Sequence, residues 1–326
     1  MTLTRAASAE ELRAGPVLAL CGGVGGAKLA LGLARVLPPG RLTVLVNTGD
    51  DFEHLGLHIS PDLDTVMYTL AGLENPETGW GRSGETWTFM AALSALGGET
   101  WFRLGDGDLA THVERTRRLR GGTPLSEITA DFARRLGIPT RIVPMSDQPV
   151  RTRMRTDAGE LPFQVYFVKL GCAPAVRGIE YTGAADAEPP AAFGEAVADP
   201  DLQAIVVCPS NPYLSIQPIL AVPGVREALR DSSAPVVAVS PVVGGRAVKG
   251  PTAKIMRELG VEVSAAAIVD AYGDLLDAFV VDTADAEQAP VIPVPAVTAP
   301  TVMRTLEDRE HLARVVLAAA RDHVSR

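Results

Sequence analysis

Four carboxylates crowd one stretch of this chain. Asp50 and Asp51 close an apolar run through Val44-Leu45-Val46-Asn47-Thr48-Gly49, and Asp62 and Asp64 follow in Ser60-Pro61-Asp62-Leu63-Asp64-Thr65. Hard divalent cations such as Mg2+ are held by a few carboxylates together with phosphate oxygens of a substrate. One aspartate from a strand end and one from the start of the next helix would supply such a site. Asp50 and Asp64 are therefore read as the metal pair and as catalytic groups, with Asp51 and Asp62 as flanking substrate contacts or substitutes. Pro61 and its serine and aspartate neighbours mark a helix start, where Asp62 could instead be a cap. Capping does not account for Asp50 and Asp51.

A second feature lies upstream, where Val17-Leu18-Ala19-Leu20 runs into Cys21-Gly22-Gly23-Val24-Gly25-Gly26-Ala27-Lys28. Glycine lets a backbone come close to a phosphate, and a helix N-terminus points free N–H groups at it. Gly22, Gly23, Gly25 and Gly26 are candidate diphosphate contacts, and Lys28 is a candidate catalytic cation. Neither common phosphate loop fits the letters. A P-loop needs glycine before its lysine and Ser or Thr after it, where this chain has Ala27 and Leu29; a dinucleotide fingerprint begun at Gly23 would need glycine in place of Lys28. A nicotinamide oxidoreductase is disfavoured for that reason. A tight turn with no ligand would not need four glycines in five positions.

Other candidates are weaker singly. Trp80-Gly81-Arg82-Ser83-Gly84-Glu85-Thr86-Trp87 could stack a flat ring on Trp80 or Trp87 and contact it through Arg82 or Thr86, although paired tryptophans are more often core. Asp108 reads as a helix cap. His54 and His58 read as solvated loop histidines, with no cysteine or further histidine nearby for zinc. Cys208-Pro209-Ser210-Asn211-Pro212, Ser240-Pro241-Val242-Val243-Gly244-Gly245 and Lys249-Gly250-Pro251 follow apolar runs or open a helix. Ser210, Asn211, Gly244 and Gly245 are candidate contacts to a base, ribose or phosphate.

The elements that must position these residues alternate. Strand-like runs fall at 17–20, 42–46, 204–207, 236–239 and 278–281, and helical patterns at 28–36, 65–71, 224–229 and 252–259. This alternation predicts an α/β three-layer sandwich with a mostly parallel, Rossmann-like sheet, whose ligands sit beyond the carboxyl ends of the strands. Residues about 80–150 read as mostly helical, including 108–120 and 126–136, and residues 150–183 alternate more like strands, as at 163–168; together they predict a mainly helical lobe inserted at about 72–200 that roofs the site. Residues 1–14 read as a flexible N-terminal extension, leaving 15–326 as a single domain.

Composition bounds the rest. With 326 residues, 47% hydrophobic, the chain can bury a large core. A net charge of −9 and no long basic run exclude duplex nucleic acid as a partner. No stretch approaches the apolar length of a membrane span. Three widely spaced cysteines suit free thiols in a reducing cytoplasm. A homodimer is expected.

Gly22-Gly23-Val24-Gly25-Gly26-Ala27-Lys28, Asn47-Thr48-Gly49-Asp50-Asp51, Ser60-Pro61-Asp62-Leu63-Asp64-Thr65, Pro209-Ser210-Asn211-Pro212 and Ser240-Pro241-Val242-Val243-Gly244-Gly245 together closely resemble the 2-phospho-L-lactate transferase family. The similarity runs from about residue 16 to 285. It implies a Mg2+-dependent transferase in biosynthesis of the deazaflavin coenzyme F-420. Such an enzyme joins the deazaflavin Fo to a phospholactyl or phosphoenolpyruvyl group delivered as a guanosine diphosphate ester, and GMP leaves. On this resemblance a ribityl hydroxyl of Fo attacks phosphorus, the guanosine half lies over Ser210, Asn211, Gly244 and Gly245, and the diphosphate reaches the glycine loop. A related group of non-catalytic sugar-nucleotide-binding regulators resembles the same loop and is the alternative reading.

Overall fold

The computed structural model describes residues 15–247 and 250–323; the expected extension at 1–14 and Lys249 lie outside them. In chain order the elements are β1 (Val17–Cys21), α1 (Gly23–Val36), β2 (Leu42–Val46), a short hairpin of β3 (Phe52–His54) and β4 (Leu57–Ile59), and α2 (Pro61–Leu70). Then come α3 (Thr88–Ala95), α4 (Asp106–Arg120), α5 (Leu125–Arg135), β5 (Arg141–Pro144), β6 (Arg151–Thr156), β7 (Gly159–Pro162), β8 (Val176–Thr182) and α6 (Ala191–Val197). The chain continues through β9 (Ala204–Val207), α7 (Gln217–Leu220), α8 (Val225–Asp231), β10 (Val236–Val239), β11 (Val242–Val243), β12 (Arg246–Ala247), α9 (Thr252–Glu258) and α10 (Ala265–Tyr272). It closes with β13 (Ala278–Asp282), β14 (Ala296–Ala299) and α11 (Leu306–Asp322).

The central sheet has seven strands in the order β14-β13-β10-β9-β1-β2-β5, and every neighbouring pair is parallel. Its strands read as unbroken apolar runs because both faces are covered. Ala19, Cys21, Val44, Val206 and Val239 face the layer of α1, α2, α5 and α11, while Leu18, Leu20, Leu45, Ile205 and Ala238 face the layer of α6, α8 and α10. The three-layer sandwich expected from the alternation is the observed fold. Helices α1 and α11 cross closely: a Cβ added at Gly32 would stand 2.1 Å from the carbonyl oxygen of Arg309.

The middle of the chain departs from expectation in two ways. The excursion at 72–200 is not one insertion, because β5 returns to pair with β2 and forms one edge of the sheet. Arg141-Ile142-Val143-Pro144 is too short and too charge- and proline-bounded to read as a strand, yet Ile142 and Val143 are buried on opposite faces. The strand-like stretch 150–183 holds β6, β7 and β8 as expected, but its segment 163–168 is not a strand. Phe163 and Phe167 stack with ring centroids 5.3 Å apart, and Val165–Lys169 is a single π-helical turn. The pattern there is a spacing of four along a helical turn. The strand-rich part of the excursion is the antiparallel sheet β7-β6-β8 beside it.

Candidate functional site

The order of strands reverses between β1 and β9: from β1 the chain winds outward through β2 and β5, and from β9 outward through β10, β13 and β14. Such a reversal leaves a crevice at the carboxyl ends, where ligands of doubly wound sheets bind. A cavity of about 700 Å3 lies there, lined by residues 22–25, Asp50, Asp62, Asp64, Ser210 and Asn211 among others.

The glycine segment is not a loop before a helix but the helix's own first turn, since α1 begins at Gly23. Gly23 has φ +64°, a left-handed conformation that a side chain would strain. At Gly25 an added Cβ would stand 2.4 Å from the carbonyl oxygen of Pro209, so the turn and the β9 end touch backbone to backbone. Ser210 ties them together: its Oγ accepts from the Gly22 N–H at 3.1 Å and donates to the Gly22 carbonyl at 2.8 Å. Gly26 faces inward on Ser210 and Cys21 and does not line the cavity. Lys28 does line it, and its Nζ donates to the Met303 carbonyl at 3.0 Å, drawing the segment 301–304 to the rim. Asn211 caps the turn Pro212–Ile216 through Oδ1, accepting from Tyr213 and Leu214 N–H groups, and its Nδ2 is buried without a partner among the described residues.

The four aspartates divide differently from the expected pairing. Asp50 and Asp62 belong together. Burial pushes the Asp50 carboxyl well above its ordinary value, and the charge of Asp62 adds to the rise. Burial likewise pushes Asp62 up to about 6, against hydrogen bonds from Asn47 and the Gly23 N–H. Asn47 Nδ2 donates to Asp62 Oδ2 at 2.9 Å, and Asp50 Oδ1 is buried without a partner among the described residues. Asp51 lies behind them, accepting from Ser60 Oγ at 2.8 Å and bonded to His58 Nε2 at 3.0 Å, and does not line the cavity.

Asp64 is committed elsewhere. Arg115, 1% exposed, grips both its oxygens, Nη1 to Oδ2 at 3.0 Å and Nη2 to Oδ1. Burial works to lower the guanidinium, but the charge and hydrogen bond of Asp64 together with Tyr68 and Asp51 hold it above its usual range. Asp64 is thus paired with Arg115, where the sequence reading had set it free beside Asp50. His112 and Asp108 complete this second cluster, with His112 Nε2 3.1 Å from Asp108 Oδ2. Asp108 is not a cap: Glu85 reaches the N-terminus of α4, accepting from the Gly107 and Asp108 N–H groups at 2.7 and 2.8 Å, while Asp108 accepts from Tyr68 Oη at 2.7 Å. Asp108, His112 and Arg115 fall at positions i, i+4 and i+7 of α4, a one-face spacing that could have marked them in the sequence.

Several expected contacts lie outside the cavity lining. Arg82 packs over the Tyr68 ring and bonds the Gly107 carbonyl, and Thr86 donates to Asp106 at 2.5 Å; both brace α4. Gly244 and Gly245 turn the β11-β12 hairpin, with the Gly244 N–H donated to Asp285. From that region Ser240, Pro241 and residues 250–252 line the cavity instead. His54 is not solvated: it is 3% exposed, edge-on to Trp101 with centroids 5.0 Å apart, and His58 is engaged with Asp51. Trp80 lines the cavity and is 53% exposed, whereas Trp87 lies under Arg103 outside it. Phe163, Phe167, Trp101 and Phe102 supply an apolar wall that the sequence reading did not identify. Cys21 and Cys208 are buried free thiols, as expected. No helix among the described residues is long and apolar enough to cross a membrane.

This architecture defines a doubly wound α/β protein with a glycine-edged cavity over its switch point. The family model of 2-phospho-L-lactate transferase CofD matches residues 17–313, and the chain belongs to that transferase family. A phosphoenolpyruvate transferase of Streptomyces coelicolor is 41% identical over 315 residues, covering 94% of this chain and 98% of the relative. A 2-phospho-L-lactate transferase of Methanopyrus kandleri is 40% identical over 302 residues, covering 91% and 95%. Among solved structures, a UPF0052-family protein of Bacillus halodurans superposes with a TM-score of 0.61 at 16% identity, covering 94% of this chain and 99% of that one. That likeness shows the fold alone.

Proposed function

We propose that this transferase joins the deazaflavin Fo to a phospholactyl or phosphoenolpyruvyl group, taken from a guanosine diphosphate ester with release of GMP. The observation that carries the reading is the two-sided cavity. One side offers the α1 N-terminus, Lys28 and Asn211 Nδ2 as donors suited to a diphosphate. The other offers the aromatic rings of Phe163, Phe167, Trp101 and Phe102, apolar lining suited to a fused ring. Asp50 and Asp62 stand beside the donor side.

Two carboxylates raised by burial, Asp50 further by the charge of Asp62 and carrying an oxygen without a partner among the described residues, fit a hard divalent cation. Asp50 and Asp62 would hold Mg2+, which when bound supplies charge neutralisation to the diphosphate. The protein's own part is positioning, which dominates transfers at phosphorus. The first turn of α1 offers the anion its N–H groups beyond Gly23, whose own N–H is held by Asp62, and Ser210 fixes that turn against β9. Lys28 keeps a cation at the rim. The apolar wall excludes water from the attacked phosphorus.

The test is a titration of purified protein with Fo, followed by deazaflavin fluorescence, then addition of a guanosine diphosphate ester with Mg2+. Saturable fluorescence change and one GMP per deazaflavin consumed are expected. An unchanged emission with tight GDP binding would favour the non-catalytic nucleotide-binding reading and end this one.

A further inference from the structure

A second, open cleft adjoins the turn Pro212–Ile216. It holds about 450 Å3 and is lined by Tyr181 of β8, Tyr213, Gln217, Leu259, Val261 and Asp270 of α10, among others. The turn is a partition: Leu214 and Ser215 line the main cavity, while their neighbour Tyr213 lines the cleft. It is a single π-helical turn, a form common at functional sites. Hydrogen bonds carry this partition into the glycine side of the main cavity. Tyr181 Oη donates to the Tyr213 carbonyl at 2.6 Å, and the Leu214 carbonyl accepts from Asn47 Nδ2 at 3.2 Å. The same Asn47 nitrogen holds Asp62. Asn211 Oδ1 accepts from the Tyr213 and Leu214 N–H groups, so the seat of Tyr213 governs the Asn211 amide whose Nδ2 has no partner among the described residues.

The chemistry of the cleft favours a cation. Asp270 is exposed and makes no ion pair among the described residues. It stands in the last turn of α10, the negative end of that helix. Gln217 Nε2 is spent on the Ala271 carbonyl, which leaves Oε1 as an acceptor. Two phenol rings stand at the same opening, and aromatic faces attract organic cations. Among the described residues the lining holds no lysine, arginine or histidine to receive an anion. We propose that this cleft is an effector site for a small organic ammonium with an apolar body, coupled to the main cavity through the Pro212–Ile216 turn. The ammonium pairs with Asp270 and Gln217 Oε1, and the apolar body packs on Tyr213, Leu259 and Val261. A ligand seated on Tyr213 holds the turn and so pre-organises Asn211 and Asn47, which makes the coupling positive. The site itself is independent of the functional reading above; the coupling uses GDP binding in the main cavity as its readout.

The experiment titrates the protein calorimetrically with 2-phenylethylammonium, and with 3-phenylpropionate as a probe of similar size and opposite charge. The parent, Asp270→Asn and Val261→Trp are compared, each with and without saturating GDP. The parent is expected to bind the amine at one site and the carboxylate far more weakly. Asp270→Asn, a change at an exposed position, should weaken the amine by about two- to fivefold, the scale of an exposed charge pair. Val261→Trp, which fills the cleft, should abolish amine binding. GDP should tighten the amine by about twofold or more, and the amine should tighten GDP by the same factor. Equal binding of the two probes, or an amine affinity unmoved in both variants, would overturn the site. Displacement of the amine by GDP would place it in the main cavity and overturn the site as well. An amine affinity indifferent to GDP would overturn the coupling. A parent protein that binds the amine but not GDP would end the functional reading and leave the ammonium site standing.

Discussion

Replacing Arg115 by methionine tests the most consequential contact in the molecule. The side chain is fully buried, and its partner Asp64 is 5% exposed, so Arg115→Met leaves a carboxylate in the interior with no compensating cation. Breaking a buried pair from one side costs about 3–5 kcal/mol, because the stranded charge keeps its desolvation penalty. Set against a total stability of roughly 5–15 kcal/mol, that is a large share. Asp64→Asn strands the guanidinium in the same way. The double variant Asp64→Asn/Arg115→Met strands nothing, so its loss should fall short of the summed single losses by about 2 kcal/mol or more. The assay is urea unfolding at neutral pH without divalent metal, with the slope of free energy against urea held constant across the set. A loss below about 1 kcal/mol in Arg115→Met, or strict additivity in the double variant, would refute the view that Asp64 depends on Arg115.

Two further outcomes are expected. Asp62 has a folded carboxyl raised from 3.8 to about 6, so it contributes stability that is complete below its ordinary range and lost as pH rises through about 6. Metal-free parent protein should therefore lose melting temperature relative to Asp62→Asn across that window, and parallel melting curves against pH would contradict the assignment. In Gly25→Ala the new Cβ would stand 2.4 Å from the Pro209 carbonyl, forcing the α1 turn and the β9 end apart. Overpacking of this kind costs roughly 1–3 kcal/mol, and GDP titration should show weakened binding; unchanged melting and unchanged GDP affinity together would show that the contact yields freely.

The sheet was largely legible because its strands are buried on both faces and carry continuous apolar runs. The expected strands at 42–46, 204–207 and 236–239 are β2, β9 and β10, and 17–20 and 278–281 fall within β1 and β13. The edge strands β5 and β14 escaped notice because prolines and polar residues interrupt them, as in Arg141-Ile142-Val143-Pro144. At the site, the glycine segment, Asp50, Asp62, Ser210 and Asn211 were found from residue types that follow strands. Arg115 was not, since an arginine at the head of the cluster 115–120 reads as a solvated face. Its burial comes from tertiary packing, in which Arg115 of α4 meets Asp64 of α2. The same meeting turned Asp64 from a free carboxylate into a paired one, which no spacing within α2 records. Arg82 and Thr86 lie outside the cavity lining for a related reason: both brace the start of α4.

The Lys28 bond to the Met303 carbonyl links two walls of the cavity that lie 275 residues apart in the chain. Behind them, α1 and α11 meet backbone against backbone at Gly32 and Arg309. The pocket is thus made from opposite ends of the sequence, and its formation carries a large loop-closure cost that is met only when α11 docks. No partly folded form lacking that docking can present a finished site. Conversely, a ligand that grips both walls favours the closed form by mass action, so occupancy stabilises a helix that the ligand never touches.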